Sequence, residues 1–96
     1  MMKASNGVGG KKTATTTPVL ETLTAESARY LKVWNAGEED ARIGINIAVE
    51  DFDVTTASLI PPGESFPFIE DRGRVITSFV YATESGETEI KFSAIS

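Results

Sequence analysis

The stretch ARIGINIAVE, residues 41–50, has an apolar side chain at every odd-numbered position. Successive side chains of a β-strand point to opposite faces, so alternation over ten residues indicates a strand with one face in a core. We therefore predict a single strand over residues 41–50. Its buried side chains would be Ala41, Ile43, Ile45, Ile47 and Val49.

Shorter segments of the same character lie on both sides of this strand. They occupy residues 29–35, 54–60, 65–69, 74–83 and 87–95, and turns that contain glycine, proline or acidic residues separate them. This spacing is typical of all-β domains, and the chain has no room for the crossover helices that a parallel sheet needs. We predict an all-β fold, a small antiparallel β-sandwich or barrel (jelly-roll-like) of six to seven strands.

The first 17 residues have the composition of a linker. They contain three glycines, four threonines and three lysines, and they contain no acidic residue. Such a segment has too little apolar surface to offset the entropy of ordering itself. We predict a flexible basic N-terminal arm over residues 1–17 and one antiparallel β-sandwich domain over residues 18–96.

The charge of the chain is unevenly distributed. The net charge is −5, and residues 18–96 carry six basic and fourteen acidic residues after an arm of charge +3. Three lysines neutralise about three phosphates, too few for tight nucleic-acid binding. We therefore expect a solvated arm, or one that binds a protein, rather than a nucleic-acid contact.

The last two strands have the features of a hairpin around Ser85-Gly86. A two-residue turn would place Phe79 opposite Phe92 and would set all side chains of one face toward the core. The full predicted core is Leu31, Val33, Ile43, Ile45, Ile47, Val49, Phe79, Tyr81, Ile90 and Phe92. On the opposite face Ile76, Val80 and Ile95 are apolar without an evident cover.

The strand at residues 29–35 leaves two aromatic side chains on its outward face. With Leu31 and Val33 in the core, Tyr30 and Trp34 point outward on either side of Lys32. Aromatic residues are typical anchors of protein interfaces, although a second sheet or the arm could also cover them. The candidate partner-binding residues are Tyr30, Lys32, Trp34, Lys11, Lys12, Ile76 and Val80.

The chain has no cysteine and no histidine. Disulfides, thiolate metal sites, cysteine nucleophiles and histidine bases are therefore excluded. Gly7 to Thr13 lacks the spacing of a phosphate-binding loop. We predict no catalytic residue, no cofactor and no metal site. A Ca²⁺ ion at Glu50, Asp51 and Asp53 stays open as a lesser alternative, because these oxygen donors lack the spacing of a calcium loop.

The N-terminal sequence has no apolar signal-peptide region, and no apolar run approaches the roughly 20 residues that span a bilayer. We expect a protein that is made in the cytoplasm and has no membrane partner.

Several segments together resemble the small β-sandwich virion proteins of tailed phages. They are YLKVWNAG at 30–37, the alternating strand from Arg42, LIPPGESF at 59–66, and VYATESG at 80–86. The resemblance covers about residues 28–95. It implies a non-enzymatic capsid decoration (cement) protein or a small head or tail component. Such a protein resides in the virion, is often trimeric, and binds a capsid or other virion protein.

Two alternatives remain beside this interpretation. One is a small carbohydrate- or Ca-dependent ligand-binding module, in which Tyr30 and Trp34 would stack on a sugar ring. The other is an accessory domain of a different cellular assembly. A stable oligomer in solution would favour the virion protein, and a monomer would favour the ligand-binding module.

Overall fold

The computed structural model describes residues 8–23, 29–69 and 75–95. The strands are β1 (Val8–Ala14), β2 (Val19–Thr22), β3 (Tyr30–Asn35), β4 (Ala41–Ile45), β5 (Ser58–Ile60), β6 (Ser65–Ile69), β7 (Ser78–Ala82) and β8 (Thr88–Ile95), with a short 3-10 helix at Val49–Asp51. The all-β prediction is confirmed, but there are eight strands instead of six to seven. No helix within the described ranges is long and apolar enough to cross a membrane.

The strands form two antiparallel sheets of four strands each. Sheet A has the order β1-β8-β3-β6, and sheet B has the order β2-β7-β4-β5. The core combines side chains from both sheets. The rings of Phe79 in sheet B and Phe92 in sheet A meet edge to face with their centroids 5.1 Å apart, a favourable aromatic geometry. The two sheets therefore enclose the core between them.

Seven of the ten predicted core residues are buried. They are Leu31, Val33, Ile43, Phe79, Tyr81, Ile90 and Phe92. Ile45 is half-buried and packs against the core, Ile47 is half-buried, and Val49 is 38% exposed. The prediction of burial is thus wrong for Val49 and only partly right for the two isoleucines.

The early end of β4 explains these exceptions. The strand stops at Ile45 because Asn46 adopts a φ of 55°, in the left-handed region that interrupts a β-strand. The Asn46 side chain holds this bend. Its amide nitrogen donates to the carbonyl of Val75 at 2.8 Å, and its oxygen accepts from the Thr77 backbone nitrogen at 2.7 Å. The chain then leaves the sheet before it reaches Ile47.

We expect the substitution Asn46→Ala to lower the free energy of unfolding by about 2–3 kcal/mol, because it removes the four hydrogen bonds of this side chain and strains a left-handed residue. Asn46→Gly loses the same bonds but accepts the positive φ, so its loss should be smaller by about 1 kcal/mol. Urea denaturation of both variants measures the difference. Equal losses would show that the backbone conformation contributes nothing to the effect.

The prediction that the last two strands pair with each other as a hairpin is wrong. β7 lies in sheet B between β2 and β4, whereas β8 lies in sheet A between β1 and β3. Residues 83–87 therefore cross from one sheet to the other, with Gly86 at a φ of 69°. Within β7 and β8 the predicted core faces are nevertheless right, since Phe79 and Phe92 meet across the core instead of along one sheet, but Ile76, which was predicted on the opposite face, is also in the core.

Part of the predicted flexible arm is a strand. Residues 8–14 form β1, which pairs along its whole length with β8, and Ala14 is fully buried. The glycines permit a close approach to β8. A β-carbon on Gly9 would lie 2.8 Å from the Phe92 carbonyl oxygen, and one on Gly10 would lie 3.2 Å from the Phe92 ring. Residues 1–7 lie outside the described part of the chain.

The open sides of the two-sheet stack are closed in different ways. Where β1 and β2 form the edges, Lys12 Nζ lies 3.5 Å from a Glu21 carboxylate oxygen, so an ion pair links the two sheets. On the opposite edge of sheet A, the rings of Phe66 and Phe68 stack with centroids 4.9 Å apart, and Phe68 packs against the core. The surface of sheet A that does not face sheet B points outward.

Candidate binding face on sheet A

The surface of sheet A that points away from the core is the candidate site, and we call it the outer face. Burial alternates along β3 and β8, which identifies the side chains that point outward. By this alternation and the strand register, the outer face comprises Gly9, Lys11, Thr13, Tyr30, Lys32, Trp34, Ser65, Pro67, Ile69, Glu89, Lys91, Ser93 and Ile95.

One end of the outer face is basic. Lys11 of β1 is paired with Lys91 of β8, and Lys91 is paired in turn with Trp34 of β3. Neighbouring strands are about 4.8 Å apart, so these three side chains form one row across the sheet. Lys32 Nζ lies 5.1 Å from the centroid of the Trp34 ring, a cation–π contact. Lys32 and Lys91 are therefore direct neighbours of the indole, and Lys11 lies one strand further away.

These three lysines have no ion-pair partner among the described residues, whereas Lys12 pairs with Glu21 and Arg42 pairs with Glu84. A pair of like charges directly opposite on adjacent strands is destabilising. Lys11, Lys32 and Lys91 thus form a cluster of lysines without an ion pair on a protein whose net charge is −5.

The other end of the outer face is apolar. Tyr30 stands between Ile95 of β8 and Ile69 of β6 in the strand register. Ile69 is 67% exposed and Ile95 is 42% exposed, while Tyr30 is half-buried. This row is therefore an exposed apolar strip, separated from the row of Lys11, Lys91 and Trp34 by the row that contains Lys32.

A surface pocket of about 650 Å³ lies at the basic end, beside Trp34. Its lining residues are Gly10, Lys11, Trp34, Asn35, Ala36, Gly63, Glu64, Lys91 and Phe92. Its volume falls within the usual range of small-molecule sites, about 300–1,000 Å³. Its lining thus includes two lysines, one glutamate and one tryptophan.

Backbone hydrogen bonds fix the rim of this pocket. The Asn35 nitrogen donates to the Glu64 carbonyl, and the Gly63 nitrogen donates to the Asn35 carbonyl, both at 2.9 Å. Gly63 has a φ of 81°, which glycine adopts without strain. The β5–β6 turn is thereby tied to the end of β3, and this places Glu64 next to Trp34.

The structure brings together four of the seven predicted partner-binding residues. Tyr30, Lys32, Trp34 and Lys11 share the outer face. Lys12 points to the opposite side of β1, where it pairs with Glu21.

The predicted exposed face at Ile76 and Val80 does not exist, because these side chains are only 3% and 0% exposed. Sequence reasoning missed Lys91, Glu64 and Ile69. They join the face through pairing of distant segments, for which the local sequence has no signal.

Glu50 and Asp51 lie in the short 3-10 helix and Asp53 lies just after it, and all three residues are exposed. The Asp53 carboxylate accepts hydrogen bonds from the Thr55 hydroxyl at 2.7 Å and from the Thr55 nitrogen at 3.0 Å. These bonds lower the pKa of Asp53 below the usual value of an aspartate. In the part of the chain that the structure describes, no group of three acidic residues is placed to hold a metal ion.

No protein-family model and no curated protein sequence matches this chain. Solved structures share its fold at low sequence identity. PirA is 10% identical with a TM-score of 0.57, and the match covers 92% of this chain and 93% of PirA. A subunit of the disulfide-linked pili of Bacillus endospore appendages is 14% identical with a TM-score of 0.50, covering 93% and 84%.

An HTH_3 family transcriptional regulator from Vibrio cholerae is 9% identical with a TM-score of 0.58. The match covers 96% of this chain but 44% of the regulator, so this chain spans less than half the length of that protein. At these identities the likeness shows the fold alone.

Proposed function

We propose that this protein is a non-enzymatic structural component of a tailed-phage particle. It binds the capsid or tail surface as a decoration subunit through the outer face of sheet A. The observation that carries the proposal is the apolar strip and the cluster of lysines without an ion pair, at the two ends of one sheet surface. Aromatic residues are enriched at interfaces, and unpaired surface charge steers association with a partner of opposite sign.

The strand order supports a β-sandwich of the jelly-roll type. The sheets β1-β8-β3-β6 and β2-β7-β4-β5 have the order of an eight-stranded jelly roll, a scaffold shared by viral capsid domains, lectins and cupins. A fold of this kind hosts many functions, so the proposal depends on the outer face.

An assembly of a similar fold is known among the structures named above, the endospore appendage pili, which are disulfide-linked. This chain has no cysteine, so its own assembly would rest on non-covalent contacts. We infer a homo-oligomer, with a trimer as the expected form from the phage-protein resemblance, in which the outer face contacts either a second copy or the virion surface.

We expect Trp34→Ala to abolish self-association or attachment while the domain stays folded, because truncating an aromatic anchor costs about 2 kcal/mol or more of binding free energy. Sedimentation velocity measures the association, and circular dichroism verifies the fold. Lys12→Gln, on the opposite side of β1, is the matched control and should associate normally. A monomeric wild-type protein with no virion affinity would contradict the structural role.

The location in a particle has a direct test. Particles of a phage whose genome encodes this chain are purified and labelled with antibody against it for electron microscopy. The proposal expects regular label on heads or tails. Abundant protein in the lysate with unlabelled particles would contradict it.

A second candidate function is favoured by the pocket beside Trp34. An indole that lines a pocket with charged and backbone polar groups is suited to a sugar ring. In this alternative the protein is a small carbohydrate-binding module, and the same outer face binds a glycan instead of a virion protein.

A further inference from the structure

We infer that the pocket beside Trp34 binds a sugar residue that carries a carboxylate. The inference rests on the carbohydrate-binding candidate function and specifies the class of sugar. It is carried by three features of the pocket: the paired lysines, the indole and Glu64.

The paired lysines supply the anion site. Lys11 and Lys91 are cross-strand neighbours, both are exposed, and both line the pocket. Without a carboxylate partner among the described residues, their repulsion destabilises the sheet edge. A ligand carboxylate placed between the two ammonium groups removes this repulsion and accepts a charge-assisted hydrogen bond from each.

Trp34 supplies the surface for the sugar ring. The indole lines the same pocket and is 36% exposed. Lys32 contacts the ring at 5.1 Å from its centroid but does not line the pocket, so the pocket borders a part of the indole that remains accessible. An accessible indole beside two ammonium groups suits a ring with an attached carboxylate.

Glu64 distinguishes an acidic sugar from other anions. Glu64 lines the pocket with the lysines, and its carboxylate can accept hydrogen bonds from sugar hydroxyl groups while it repels a dianionic phosphate more strongly than a monoanionic carboxylate. A phosphorylated ligand or a nucleic acid would bring further negative charge against it. An acidic peptide has no need of the indole. A carboxylated sugar uses the lysines, the indole and Glu64 together.

The single tryptophan of the chain makes the test direct, since all indole fluorescence comes from Trp34. The folded protein is titrated with galacturonic acid, tri-galacturonic acid and polygalacturonate, and in parallel with galactose and neutral galactan oligosaccharides. We expect a saturable fluorescence change with the acidic series alone. The monomer and polymer arms separate a free acidic sugar from one within a polysaccharide.

Lys11 and Lys12 form a matched pair for the variants, because they are adjacent in β1 but point to opposite sides. Lys11→Gln and Lys91→Gln should each weaken acidic-sugar binding about tenfold, the effect of one charged hydrogen bond, and Lys12→Gln should leave it unchanged. Added salt should weaken binding to the wild type more than to the Lys11→Gln variant.

The outcomes separate this inference from the function on which it rests. Equal binding of neutral and acidic sugars, unaffected by Lys11→Gln, would overturn the acidic specificity and keep the carbohydrate-binding candidate. A fluorescence spectrum unchanged by every sugar would overturn both. Tighter binding of inorganic phosphate than of galacturonate would overturn the role assigned to Glu64.

Discussion

We expect a chain that lacks residues 1–14 to be largely unfolded at room temperature. It should therefore show no cooperative thermal unfolding transition. β1 pairs with β8 along seven residues and brings the fully buried Ala14 into the core. Its removal strips backbone hydrogen bonds, each worth about 0.5–1.5 kcal/mol net, from the length of β8. Small domains have about 5–15 kcal/mol of total stability, so the loss is of comparable size. Thermal melting followed by far-ultraviolet circular dichroism measures it.

The reference for this experiment is the chain that lacks residues 1–7 alone, because it keeps β1 whole. Gly9→Ala tests the same contact by a point substitution, since its β-carbon would lie 2.8 Å from the Phe92 carbonyl oxygen and must displace one strand. If the two truncated chains melt at the same temperature, β1 does not stabilise the domain, and the boundary at residue 18 suggested by composition describes the folding unit.

The glycines of β1 illustrate where composition misleads. Glycine in a polar, lysine-containing segment is typical of a linker, and this is the interpretation that the sequence alone favours. In the structure Gly9 and Gly10 are selected by the close approach of β8, where any side chain would meet Phe92. The reason for these glycines lies more than eighty residues away in the chain, so local pattern could not reveal it.

Alternation predicted which side of each strand is buried but could not predict which strands are paired. In β7 and β8 the odd and even faces were assigned correctly, because the two-residue period is a property of one strand. Pairing is decided by the whole topology, and here the 83–87 connection crosses between the sheets. A hairpin and a crossing of this length have similar turn residues.

The same limit applied to the candidate site: the sequence predicted its side chains on one strand but not those that other strands contribute. Tyr30, Lys32 and Trp34 follow from the alternation of one strand, and all three lie on the outer face. Lys11 completes the basic row through β8, next to Lys91. The distance in sequence between Lys11, Trp34 and Lys91 hides the row until the sheet order is known. Val80 was predicted on an uncovered face but is buried, because no local pattern indicates that its side of β7 is covered.

We expect Asn35→Ala to lower the free energy of unfolding by about 3–5 kcal/mol. The Asn35 side chain is buried and makes four hydrogen bonds. Its amide nitrogen donates to the carbonyls of Glu39 (2.6 Å) and Ile60 (2.8 Å), and its oxygen accepts from the Gly37 nitrogen (3.0 Å) and the Thr88 hydroxyl (2.7 Å). Ile60 belongs to sheet B and Thr88 to sheet A, so one amide joins both sheets. Each buried group left without a partner costs about 1–3 kcal/mol.

Two further variants separate the parts of this network in urea denaturation. Thr88→Val removes one of the four bonds and should cost about 1–2 kcal/mol, well below the loss for Asn35→Ala. Asn35→Asp keeps the size of the side chain but turns a carboxylate oxygen toward the Glu39 and Ile60 carbonyls. Burial and these oxygens favour the neutral acid in the folded state, so the pKa of the introduced carboxyl should rise above its unfolded value.

The sign of the pH dependence follows from that rise. Above the unfolded pKa of about 4 the unfolded chain ionises more readily than the folded one, so Asn35→Asp should be strongly destabilised at pH 7. As the pH falls toward 4 its deficit relative to the wild type, measured at the same pH, should shrink, because the neutral acid can donate one hydrogen bond again. A deficit that is constant from pH 7 to pH 4 would show that the introduced carboxyl has turned toward water, and that the amide does not hold the two sheets together as its four bonds indicate.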